Sequence, residues 1–128
     1  AAYQSAAAHG GVAAYDPHRL IVMLMDGALE RIATARGCMQ RGETSEKARL
    51  LNRTVSIVAE LRGSLDMNAG GQIAANLSEL YDYMTRRLLT ALANNKVELL
   101  DEVSTLLNEI RSAWVAIPSR AQRRPVTP

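Results

Sequence analysis

The chain has no phenylalanine, one tryptophan and one cysteine among its 128 residues, and aromatic side chains make up only 4% of it. A core without phenylalanine must be filled by Leu, Ile, Val, Met and Ala, and a hydrophobic share of 48% supplies them. Such side chains suit helix-on-helix packing. A single cysteine, Cys38, cannot form an intrachain disulfide, which points to a reducing compartment. Long apolar runs are also missing. The most strongly apolar stretch, Leu20 to Met25, is six residues long and lies between Arg19 and Asp26. That is far short of the ~20 residues needed to span a bilayer. The N-terminal segment is alanine-rich but has neither a basic leader nor a sustained apolar core, so it does not read as a signal peptide. The expected location is the cytoplasm, without stable membrane insertion.

Acid is absent from one place in particular. Residues 119–128 hold Arg120, Arg123 and Arg124 and no Asp or Glu. Of the 15 Lys and Arg residues this leaves 12 for the remainder, against 13 acids. The formal net charge of +2 therefore belongs to the end of the chain, and the expected folded part is close to neutral. A nucleic-acid-binding domain would concentrate basic charge on a folded face, so nucleic acid is not an expected partner.

Catalytic and metal-binding patterns are missing too. A di-iron bundle needs Glu-x-x-His on each of two helices, and this chain has none; its two histidines are His9 and His18. There is no Cys-x-x-Cys-His haem attachment. Cys38 has Arg36 and Arg41 nearby, but it falls near the end of a helix, where the dipole disfavours a thiolate, and no histidine is placed as its base. Gly70-Gly71 lacks the Lys and Ser or Thr of a phosphate-binding loop. The sequence reads as a non-enzyme with no metal and no cofactor. His18 has two readings, a polar side chain turned to water at a helix start or a pH-sensitive contact, and the first is favoured.

What is present is helical periodicity. Residues 1–15 read as an arm. Asp16-Pro17 gives an N-cap followed by proline in the first turn, opening a helix that runs to Arg41 and stops at Gly42. Its seam is Ile21, Leu24, Ala28, Ile32, Ala35 and Met39, with Met25 and Leu29 beside it. Thr44 or Ser45 is the expected cap of a second helix reaching about Met67. That helix carries two stripes, one of Ala48, Leu51, Val55, Val58 and Leu65, the other of Leu50, Ile57 and Leu61. Asn68 to Gly71 reads as a break. A third helix follows to about Asn94, and Asn95 is the expected cap of a fourth, which bears Val97, Leu100, Val103, Leu107, Ile110, Trp114 and Ile117 and ends before Pro118. No strand pattern competes. The expected architecture is all-α, an antiparallel up-down four-helix bundle over residues 16–117, with an N-terminal cap segment at 1–15 and a disordered basic tail at 118–128.

The most informative stretch is Asn76 to Ala91, NLSELYDYMTRRLLTA. Leu77, Leu80, Met84, Leu88 and Ala91 form its apolar seam, Tyr81 and Tyr83 border it, and Arg86-Arg87 follow. Together with the upstream DPHRLIVMLMDGAL and the lone tryptophan near the end of the last helix, this block resembles the FliS family, the flagellin-specific export chaperones of bacterial flagella. The similarity runs from Ala2-Tyr3-Gln4 to Trp114. One departure is Leu24-Met25-Asp26-Gly27, where the family carries a Leu-Tyr-Asp-Gly-like string.

The resemblance implies a chaperone that receives the C-terminal segment of flagellin as helices in apolar grooves, prevents premature polymerisation and delivers it to the flagellar type III export apparatus. Flagellin is then the expected partner, with export gate components as further candidates. The residues expected to touch it are Tyr3, Met25, Leu50, Ile57, Leu61, Tyr81, Tyr83, Met84, Arg86 and Arg87. Tyr3 matches an N-terminal tyrosine of a segment that, in the family, lies over part of the groove. Met23, Met25, Met67 and Met84 have the adaptable side chains that such a groove favours. Periodicity alone does not separate an inner face from a groove, so each apolar position is equally a core residue. The competing reading is a helical adaptor or regulatory module with a non-flagellin partner.

Overall fold

A computed structural model of the chain describes residues 16–118. Tyr3 and the rest of the expected cap segment, and the basic tail from Ser119 onward, lie outside the described residues. Among the described residues there are four helices and no strands: α1 (Pro17–Arg41), α2 (Thr44–Gly63), α3 (Met67–Asn94) and α4 (Val97–Ala116). They form an all-α bundle in which α1 and α3 each pack against both α2 and α4. Cross-helix pairs fix the directions. On α1 and α4, His18 meets Trp114, Asp26 meets Arg111 and Arg36 meets Asp101, so one helix ascends as the other descends. Arg62 with Ser78 and Lys47 with Leu92 and Asn95 give the same antiparallel relation for α2 and α3.

The first helix starts and stops where its sequence signals lie. The Asp16 carboxylate accepts the His18 amide at 3.0 Å, and Pro17 occupies the first turn, where its missing N–H costs nothing. At the other end Gly42 adopts φ 73°, which brings the amides of Gly42 and Glu43 back onto the carbonyls of Met39 and Cys38. A side chain would be strained at that φ.

The ends of α3 and α4 fall where expected, but the other boundaries differ from the sequence expectation. Thr44 is already helical and Glu43 precedes it without a side-chain cap. The second helix ends at Gly63, not near Met67: the Ser64 amide closes the last helical bond onto Glu60, and the Leu65 amide then turns onto the Arg62 carbonyl. Asp66 then caps α3, its carboxylate accepting the amides of Asn68 and Ala69. The break expected at Asn68 to Gly71 is thus a kink inside α3, with Gly71 at φ 52° and ψ −131°. Asn95 does not cap α4. It sits in the left-handed region (φ 55°) and closes α3, with Lys96 preceding α4.

The core is aliphatic and sulfur-rich, as a chain without phenylalanine requires. Met25, Ala28, Ile32, Leu51, Val58, Leu61, Met84, Leu88, Leu100, Val103 and Leu107 are all essentially inaccessible. Two polar side chains are buried with partners. Thr54 donates to the Leu50 carbonyl at 2.8 Å. Lys47 donates to the Leu92 carbonyl and to Asn95 Oδ1, placing an ammonium at the C-terminal end of α3 where the helix dipole favours a cation.

Candidate functional site

One end of the bundle is open. There the first turns of α1 and α3 and the last turns of α2 and α4 surround a groove of about 1040 Å³. Its lining is mostly apolar: Leu20 and Ile21 from α1, Leu65 from the α2–α3 connection, Ile73, Ala74 and Leu77 from α3, and Ile110, Trp114 and Ile117 from α4 and its end. Met25 and Tyr81 reach it from the core. Ile73 is 73% exposed and Ile117 44% exposed, so the apolar surface continues onto the rim instead of being sealed by the bundle. The helical stripes explain this. Apolar positions repeat along the whole length of α3 and α4, but at this end the helices do not close on one another, and the last members of each stripe face the opening. Charged lining residues are few, Glu60 and Asp66, and both are acids.

The α1–α4 side of the groove is tied by a reciprocal contact. Trp114 Nε1 donates to the His18 carbonyl at 3.0 Å, and His18 Nε2 lies 2.8 Å from the Trp114 carbonyl. A carbonyl only accepts, so Nε2 carries the proton. The two rings stack with centroids 5.2 Å apart and an interplanar angle of 15°. His18 is therefore not turned to water, as the sequence reading favoured. Its ring and backbone both hold the tryptophan that lines the groove.

The sequence-selected residues fall into three groups. Met25 and Tyr81 belong to the groove's floor. Tyr81 is 3% exposed and central to the α3 seam, not a flank of it, and burial pushes its hydroxyl up to about 12 from an ordinary 10.0. Leu50, Ile57, Leu61 and Met84 lie in the core and do not line the opening. The wide apolar face of α2, which carries Leu50, Ile57 and Leu61, is accounted for by its two neighbours, α1 and α3. Met23, by contrast, is half exposed and stands outside the groove.

Tyr83, Arg86 and Arg87 form the third group, on the outer α3–α4 face. Tyr83 donates its hydroxyl to Glu102 Oε2 at 2.5 Å, and Arg87 Nε donates to Glu102 Oε1 at 2.8 Å. Both hydrogen bonds hold the Glu102 carboxyl below the usual range, the tyrosine's first, while the Tyr83 hydroxyl is raised by the same bond. Arg86 pairs with Asp82 one turn back at 3.4 Å, the partner its spacing predicts. The Arg87 guanidinium also lies 5.4 Å from the centre of the Tyr83 ring.

Sequence reading missed the groove because its members looked like core seam. Leu65, Leu77, Ile110, Trp114 and Ile117 fit the helical stripes, and only the loss of packing at one end makes them a surface. The available signal was that apolar positions continue past the helix ends, at Leu65 and Ile117. Cys38 lies far from this opening, buried, with its thiol raised first of all by that burial, which keeps it protonated. Among the described residues no cluster of three or more His, Cys, Asp or Glu is arranged to hold a metal ion, and no helix is long and apolar enough to cross a membrane.

The sequence of the chain matches a known family. The model of the family described as "Flagellar protein FliS" matches residues 1–121. The chain is 46% identical to the flagellar secretion chaperone FliSB of Pseudomonas aeruginosa, over 90% of this chain and 91% of that protein. It is 40% identical to the flagellar secretion chaperone FliS of Salmonella typhimurium, over 94% and 90% respectively. With its Vibrio cholerae counterpart the identity is 38%, over 91% and 86%. The chain belongs to the FliS family of flagellar proteins.

Proposed function

We propose that this protein is a flagellar export chaperone that captures the C-terminal segment of flagellin in the open-ended groove. The observation that carries the proposal is the apolar lining that continues onto an exposed rim at Ile73 and Ile117. A monomer with no client gains nothing from leaving such surface in water, whereas an amphipathic helix can bury it. Flagellin polymerises through amphipathic terminal helices, so covering them in the cytosol would prevent premature assembly and keep the substrate ready for the export apparatus. The relatives named as flagellar secretion chaperones support the same role.

Within this proposal the roles of the selected residues divide. Met25 and Tyr81 would meet the client from below, and Leu50, Ile57, Leu61 and Met84 would hold the surrounding helices in place. Tyr83, Arg86 and Arg87 are already engaged with Glu102 and Asp82, so a client contact there has to compete with those pairs. Tyr3 and its segment lead into Asp16 and Pro17, and Pro17 lines the groove, which supports a covering role for the arm.

Isothermal titration with the C-terminal segment of the cognate flagellin, at low and high salt, tests the proposal. Saturable one-to-one binding with a negative heat-capacity change and little salt dependence is expected, because apolar burial and not charge supplies the affinity. Absence of binding by the folded protein would leave the adaptor reading in its place, and binding that weakens steeply with salt would show that charge, not apolar burial, supplies the affinity.

A further inference from the structure

The two sides of the groove are built differently. On one side the first turn of α1 and the last turn of α4 are locked together by the reciprocal His18–Trp114 hydrogen bonds and ring stack. On the other side the wall is the segment from Leu65 to Gly70, of which Leu65, Asp66, Ala69 and Gly70 line the opening. Every residue from Asp66 to Ile73 is exposed except Gly70, which is half-buried. Its first turn is hydrogen-bonded internally, with the Asn68, Ala69 and Gly70 amides donating back to Asp66. Immediately after it comes Gly71, at φ 52° and ψ −131°, the one non-helical residue inside α3.

We propose that Gly71 is a hinge and that the groove closes on its occupant from this side alone, an inference that rests on reading the groove as the client site. Glycine exchanges between positive and negative φ at little cost, so the backbone there has a second, helical conformation within reach. In that conformation the Asp66–Gly70 turn would run on as a straight extension of α3, moving Leu65 and Ala69 relative to Leu77 and Trp114. A Cβ at Gly71 would meet nothing within 4 Å, so the positive φ and not crowding calls for glycine there. Gly70 is constrained differently: a Cβ there would fall 2.6 Å from that of Ala74 in the kinked form. The glycine pair thus serves space at one position and torsional freedom at the next. The His18–Trp114 side stays fixed and supplies the surface against which the moving wall presses.

Amide hydrogen exchange reads this directly, first in the free protein and then with the flagellin C-terminal segment added. In the free protein the amides of Gln72 and Ile73 are expected to exchange at least about a hundredfold faster than those of Met84 and Leu88, as local opening at a hinge requires. With the segment bound they slow about tenfold or more. Gly71→Ala, which disfavours the positive φ, is expected to slow the same amides without any ligand, because it makes α3 continuous. Exchange at Gln72 and Ile73 as slow as at Met84 in the free protein would overturn the hinge. So would binding of the segment that leaves these amides unchanged. If the segment fails to bind at all, the client reading falls, while exchange in the free protein and in Gly71→Ala still decides whether the hinge exists. Should that variant not fold, the free wild-type comparison decides alone.

Discussion

Individual side chains in this protein differ sharply in what they carry. Met84 is fully buried at the centre of α3, whereas Arg86, two residues on, is exposed, paired with Asp82 and 6.0 Å from the centre of the Tyr83 ring. Met84→Ala is expected to cost about 2–5 kcal/mol through lost burial and the cavity left behind. Arg86→Ala should stay within about 0.5 kcal/mol, as for most exposed ion pairs. Denaturant unfolding of the two variants checks both. Tyr81 makes a pH prediction. Its hydroxyl is neutral in the fold until about 12, against 10.0 ordinarily, so the unfolded chain loses that proton first. Its contribution to stability is complete below pH 10 and is lost as the pH rises towards about 12. Ultraviolet titration should find one tyrosine ionising well after an ordinary one, and simultaneous titration of all tyrosines would contradict its burial. At this scale the sequence was least legible. Nothing in the spacing of His18 and Trp114 shows that they stack across 96 positions of chain, and nothing about Lys47 announces that it is buried.

Elements were easier to read than their ends. The seam of α1 and the stripes of α2 and α4 follow from helical spacing, and Asp16, Pro17 and Gly42 carry local signals that no tertiary contact overrides. The α2–α3 boundary was misplaced because Asn, Ala and Gly near position 70 looked like a loop, while a single carboxylate, Asp66, suffices to start a helix before them. Asn95 has the chemistry of an N-cap and also tolerates the left-handed conformation; here the second property wins, and Lys47 reinforces it by bonding to the Asn95 side chain. Lys47→Met, which keeps the apolar stem and removes the ammonium, should therefore destabilise the α2–α3 end of the bundle by about 1–3 kcal/mol, the range for losing hydrogen bonds from a charged donor. Faster amide exchange at Asn95 and Lys96 would localise the effect to the end of α3.

For the whole molecule, a bundle closed at one end and open at the other links the fold to its use. Buried aliphatic and methionine side chains hold four helices together along most of their length, and the same stripes, where packing stops, become a binding surface. Resemblance to the FliS family was legible in the Asn76–Ala91 block, yet of that block only Leu77 and Tyr81 line the groove, and the rest of the lining comes from the start of α3 and from the other helices. A family-identifying motif and an open surface need not coincide. Ile73 separates them well, because it is exposed on the groove rim and contributes little to the core. The most direct measurement is the affinity of Ile73→Arg for the flagellin C-terminal segment, taken beside its melting temperature. Loss of at least about tenfold in affinity, equivalent to ~1.4 kcal/mol, with an unchanged melting temperature is the predicted result; wild-type affinity in that variant would contradict the groove as the client site.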